Sequence, residues 1–166
     1  QTKKMLNKAF ELSPDNPFVN FVKGDFHYDD AFILYDKGKI DLAIKSAEKA
    51  LIHFEKVVDN SKNNKDLIIK RIYPLGITYT ATALLGEAKF ELYFVYKEIN
   101  DRKNAKKYLE EALSDYTTAI SMAPSQEKAE EIELDRDFDL ITPSDIYTAR
   151  GNIYSWMNNK EKKACS

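Results

Sequence analysis

An all-α chain of stacked antiparallel helix hairpins is the fold class the sequence predicts, and three observations predict it. Five Gly and five Pro in 166 residues are few, and 43% hydrophobic residues supply a sizeable core. Apolar residues recur at spacings of three and four through successive stretches, each closed by Pro, Gly or Asn/Asp turns. Finally, the first stretch of each pair is apolar on two faces, which suits a helix packed between its own partner and the next pair.

Taken in order, residues 3–12 form a short helical piece that runs into Ser13, Pro14, Asp15, Asn16 and Pro17. There Asn16 can cap a new helix and Pro17 suits its first turn. Residues 18–35 are helical, with Phe18, Phe21, Tyr28, Phe32 and Tyr35 on one face and Val22, Phe26 and Ile33 on others. Gly38 breaks the chain, and Ile40, Ala43, Ala47, Ala50, Phe54 and Val57 mark a second amphipathic helix, so the two form a hairpin. The polar run 59–65 and the apolar piece 67–73, stopped by Pro74 and loosened by Gly76, read as an irregular insert.

The next helix covers residues 78–99, with Ala81, Leu85, Ala88, Leu92 and Tyr96 on one face and Tyr79, Ala83, Phe90 and Phe94 on another. Asn100 and Asp101 turn the chain into a helix marked by Ala105, Leu109, Ala112, Tyr116, Ala119 and Ala123, ending before Pro124. Thr142, Pro143, Ser144 and Asp145 read as a capping box for a helix over 145–156. Asn158 and Asn159 are expected to turn it into the start of a partner at 160–166, a third and truncated hairpin. Alanines 43, 47, 50, 105, 112 and 119 let helix axes approach closely, as they also would in a plain helical bundle, the alternative architecture.

Charge and cysteine usage exclude several classes. Twenty-five Lys+Arg against 27 Asp+Glu give no general attraction to nucleic acid or an anionic membrane. One cysteine, Cys165, cannot close an internal disulfide, and two histidines, His27 and His53, cannot make a multi-histidine metal site. No apolar run approaches the roughly 18 residues that span a bilayer, so a soluble chain without membrane insertion is expected. The chain opens on Gln1 and closes on a helix just beginning, which reads as a fragment of a longer protein, cytoplasmic or exported after loss of an N-terminal segment.

Several strings resemble the tetratricopeptide repeats, whose units are antiparallel helix pairs stacked in a right-handed superhelix. Leu6, Ala9 and Pro14 look like the end of one unit's second helix. The stretch from Gly38 to Leu51, with Ala43 and Ala50 at small-residue positions, is similar to a turn and second helix. Tyr96, Ala105, Leu109 and Ala112 fit a further unit, and Ala112, Tyr116, Ala119 and Pro124 repeat the pattern one turn later, implying an overlong second helix. Tyr147 to Tyr154 resembles a first helix, with Gly151 where close packing wants a small residue. The units implied are 1–15 (partial), 17–60, 78–124 and 142–166 (truncated), in one divergent domain with His27 and Asp30 at positions a standard unit fills with apolar residues.

The resemblance implies a non-catalytic scaffold that grips a peptide or partner protein along the surface lined by each pair's first helix. Tyr28, Tyr35, Tyr93, Tyr147 and Tyr154 are the candidate contacts, since tyrosine offers apolar area with a polar tip. The lysine and arginine partners of a carboxylate-clamp adaptor are not at the matching positions. A second reading is a small-ligand binder, or a transporter-associated exported repeat protein, with an inter-repeat pocket at His27 and Asp30; it predicts a deep polar pocket where the scaffold reading predicts an open groove. A third is self-association.

Other chemistry is weakly signalled. His27 and Asp30 share a helix face while Asp29 points elsewhere, so at most two ligands converge and no metal site or cofactor is assigned. Asp135, Asp137 and Asp139 imitate a calcium loop, but Leu140 stands where glycine is needed and Ile146 where the closing glutamate is needed. Lys97, Arg102, Lys103, Lys106 and Lys107 lie among acidic neighbours, as a solvated helix end does. No glycine-rich phosphate loop or serine nucleophile elbow is present.

Overall fold

The computed structural model describes residues 2–61, 76–123, 125, 127 and 141–164, with side chains from residue 4 to 157. The described residues form six helices and no strand: α1 (Thr2–Leu12), α2 (Pro17–Asp36), α3 (Ile40–Ser61), α4 (Ile77–Glu98), α5 (Arg102–Met122) and α6 (Pro143–Ala164). The apolar piece at 67–73 and the calcium-loop imitation at Asp135, Asp137 and Asp139 lie outside them, as does Cys165.

Local chemistry sets the boundaries. The Asn16 side chain accepts from the Phe18 and Val19 amides at 2.9 and 3.2 Å, with Pro17 in the first turn of α2. At the other end Gly38 takes φ 69°, letting its amide and that of Lys39 close on the Tyr35 and Leu34 carbonyls. The end of α4 repeats this closure with Asn100 at φ 61°, its amide on Lys97 and that of Asp101 on Tyr96. Asp101 then caps α5 through the Asn104 amide at 3.1 Å. Before α6, Asp145 accepts from the Thr142 amide at 2.8 Å while the Asp145 amide points to the Thr142 hydroxyl at 3.4 Å, the capping box the sequence predicts.

Packing follows the same plan twice. Helix α2 packs along α3, α4 packs along α5, and α4 also lies on α3, so the second hairpin stacks on the first; α6 then adds to α5. The core is continuous through Phe21, Phe54, Val57, Leu85, Leu92, Leu109, Tyr116, Ile146 and Ile153. The small residues Ala50, Ala81, Ala112 and Ala119, all fully buried, bring the helix axes together.

The closest approaches use two glycines. Gly24 of α2 and Gly86 of α4 are buried under the rings of Phe54 and Tyr116, each on the partner helix. The same offset separates Gly24 from Gly86, Phe54 from Tyr116, Gly38 from Asn100 and Ala50 from Ala112, so the two hairpins are a residue-by-residue repeat.

Three expectations are corrected. Helix α3 does not stop before the polar run but continues to Ser61, which is buried with its hydroxyl 2.5 Å from that of Thr78. Helix α6 continues through Asn158 and Asn159 to Ala164, because two asparagines without glycine or proline do not suffice to end it; the expected turn is absent. Gly151 is exposed with open space around its α-carbon, so it is not a close-packing residue.

Candidate functional site

The face shared by α2 and α4 carries an apolar crevice between the two hairpins. Tyr28, Ala31 and Phe32 of α2 line it with Ala47 of α3 and Glu91 and Leu92 of α4. Phe32 is 42% exposed and packs edge-on against Tyr28. Beyond them the Tyr35 hydroxyl donates to Glu98, joining the C-terminal ends of α2 and α4. Phe32 and Tyr35 give the crevice an exposed aromatic border.

Four carboxylates stand toward the N-terminal side of the crevice. Asp25 and Asp29 are one turn apart on α2, and Glu87 and Glu91 hold the repeat-equivalent positions on α4. None of the four makes an ion pair or hydrogen bond with another described residue. Partial desolvation, then Asp29, raises the Asp25 carboxyl; burial, then Glu91 and Asp145, raises Glu87; burial raises Glu91. The Tyr28 hydroxyl between them is likewise pushed up, first by burial and then by Glu87 and Glu91.

The carboxylates of α5 are matched. Asp115 of α5 meets the Lys89 ammonium at 2.8 Å, Glu110 meets Lys106 at 3.6 Å and Glu111 meets Lys107 at 3.9 Å. The three carboxylates of α5 thus have lysine partners, and the four on the α2–α4 face do not.

The predicted contact residues divide. Tyr28 and Tyr35 come together along this face. Tyr93 is not on this face: it is 2% exposed, stacked on Phe90 with Phe94 edge-on and Trp156 tilted against it, at the repeat-equivalent of the buried Ala31. Tyr147 and Tyr154 are about half exposed, each one residue on from the buried Ile146 and Ile153, so they present a different strip of α6. Phe32, Glu87 and Glu91 were not singled out as contacts by the sequence reading; the repeat offset that pairs Asp25 with Glu87 and Phe32 with Phe94 is the signal that finds them.

His27 and Asp30 do not form a shared pocket. His27 stacks on His53 at 5.7 Å and on the edge of Phe26, and Asp30 accepts from the Ser46 hydroxyl at 3.0 Å. Both are taken up in joining α2 to α3, and neither lines the crevice. His53 Nδ1 lies 3.0 Å from Asn20 Oδ1, and the Asn20 amide nitrogen donates to the Pro14 and Asn16 carbonyls at 2.7 and 3.1 Å, so the histidine is the donor. Burial, then Lys23, His27 and Lys56, holds His53 down to about 4. Among the described residues no three His, Cys, Asp or Glu side chains converge as metal ligands.

A second crevice lies beyond the C-terminal end of α4, lined by Tyr93, Lys97, Arg102, Lys106, Leu109 and Met157. It contains three members of the basic patch, but Lys97 lies over the Tyr93 and Trp156 rings and Lys106 pairs with Glu110.

Compared with protein families, residues 94–114, the end of α4, the turn at Asn100 and the first half of α5, match the tetratricopeptide repeat. Over that stretch the chain is similar to a tetratricopeptide repeat. The matched stretch contains Tyr96, Ala105, Leu109 and Ala112, the residues on which the resemblance rests. Comparison with curated proteins and with solved structures finds no match. At the general level a tetratricopeptide repeat is a protein-interaction scaffold, and no helix among the described residues is long and apolar enough to cross a membrane.

Proposed function

We propose that this chain is a tetratricopeptide-type, non-catalytic adaptor that holds a peptide or partner protein along the α2–α4 face. The observation that carries the reading is the apolar crevice at the junction of the two hairpins, bordered by exposed Phe32 and Tyr35. First helices of stacked pairs line the surface on which such arrays grip extended partners, and aromatic side chains beside a crevice supply the anchors of an interface. Tyr28, Phe32 and Tyr35 contact the partner, with Tyr147 and Tyr154 presenting a separate strip of α6.

The test is retention of proteins from an extract of the source cells on immobilised wild type, Phe32→Ala/Tyr35→Ala and Tyr147→Ala/Tyr154→Ala, with retained proteins identified by mass spectrometry. A partner lost only from the α2 variant supports this face. Equal retention by all three, with circular dichroism showing each folded, refutes it.

A further inference from the structure

We infer that the segment bound on the α2–α4 face is a cationic one, with two Lys or Arg side chains at alternate positions followed, at the next alternate position, by one apolar side chain. The inference rests on the proposed docking face and adds to it the chemistry of the occupant. Asp25 and Asp29 lie one turn apart on α2 and Glu87 and Glu91 hold the repeat-equivalent positions on α4, where Glu91 lines the crevice; none has a described cationic partner, whereas the carboxylates of α5 are matched by lysines. Neither α2 nor α4 places a lysine among them: Lys23 lies over the Phe10 ring and Lys89 is turned to Asp115.

Spacing converts this charge into a sequence preference. Carboxylates four residues apart on a helix are separated by about 6 Å along its axis. Alternate side chains of an extended chain repeat at about 6.8 Å. An extended segment following α2 and α4 therefore sets one cation between Asp25 and Glu87, the next between Asp29 and Glu91, and the following same-side residue over the crevice at Phe32 and Val95. That crevice has apolar walls, so the third residue is aliphatic or aromatic. Burial and like charge raise the Asp25 and Glu87 carboxyls, and a cation arriving between them relieves both.

Fluorescence anisotropy with three labelled peptides tests the inference. The first is Gly-Lys-Ser-Lys-Ser-Phe-Ser-Gly, the second has both Lys replaced by Glu, and the third has Phe replaced by Ser. The expected result is binding of the first peptide, weakened steeply by salt, about tenfold weaker to Glu87→Gln/Glu91→Gln, and weaker still for the second and third peptides. The Gln variants remain folded in a thermal melt, since they remove like charges.

Equal binding of the Lys and Glu peptides, both lost with Phe32→Ala, overturns the cationic inference and leaves the face intact. Binding of any peptide that is indifferent to Phe32→Ala overturns the face itself. Failure of the first peptide to bind overturns the inference.

Discussion

Gly24→Ala, Gly86→Ala and Gly151→Ala are the same substitution in three helix interiors, and the packing predicts opposite results. A methyl at Gly24 would lie 2.6 Å from Phe54 Cε1 and 2.7 Å from Cδ1; at Gly86 it would lie 2.8 Å from two ring carbons of Tyr116; at Gly151 nothing lies within 4 Å. Phe54 is fully buried and meets Phe21 edge-on at 5.8 Å, so its ring has nowhere to retreat without moving α3. Overpacking of this kind costs about 1–3 kcal/mol. Each substitution also gains about 1 kcal/mol of helix propensity. That gain is common to all three, so the difference between the buried and the exposed sites is the overpacking term alone. For a chain of this size it corresponds to a gap of roughly 2–10 °C in melting temperature. Thermal unfolding followed by circular dichroism at 222 nm reads the gap directly, with Gly151→Ala melting above wild type and the other two below it. If Gly24→Ala and Gly86→Ala melt with Gly151→Ala, the close helix approach that defines both hairpins is refuted.

Protonation supplies a second check. His53 is held down to about 4, so the unfolded chain binds its proton first as pH falls below about 6.5, and stability is lost progressively between there and pH 4. Urea unfolding at pH 7 and 4.5 measures the loss, which His53→Gln should reduce. The raised carboxyls have the opposite sign, costing stability at neutral pH and ceasing to do so as they protonate, so Glu87→Gln should melt at or above wild type at pH 7. At the start of α6, Thr142→Ala removes the capping hydroxyl and should cost about 1 kcal/mol in the same melts. Truncating Phe54 to Ala should cost about 3–5 kcal/mol, because a fully buried ring that covers Gly24 leaves a cavity.

Helix boundaries were legible where one residue dictates backbone geometry. Asn16 with Pro17, Gly38, and Thr142 with Asp145 each act within a few residues of themselves, and the structure places them as read. Asn158 and Asn159 misled because asparagine only favours a turn, while the neighbouring helix-forming residues carry α6 past it. Gly151 misled for a related reason: a glycine in a helix marks close packing only if another element arrives there, and nothing local says whether one does. Gly24 and Gly86 are the glycines that do this, and the equal offset to Phe54 and Tyr116 is the signal that distinguishes them.

The candidate site was less legible than the fold. Tyr28 and Tyr35 were named because tyrosine offers apolar area with a polar tip, and both lie beside the crevice. Tyr93 shares their residue type, but the Trp156 ring from α6 closes over it, a contact set by tertiary packing. Asp25, Glu87 and Glu91 belong to no motif and Asp29 stood out only beside His27 and Asp30, so the repeat offset is what aligns the four, while the carboxylates on α5 find lysines.

Site-specific photo-crosslinking tests the central claim most directly. A benzophenone side chain is placed at Phe32 on the α2–α4 face or at Ile52 on the outer surface of α3, both exposed, and each variant is irradiated in source-cell extract. The account predicts a discrete adduct from position 32, absent from position 52 and abolished by Glu87→Gln/Glu91→Gln. Adducts from position 52 alone would contradict it.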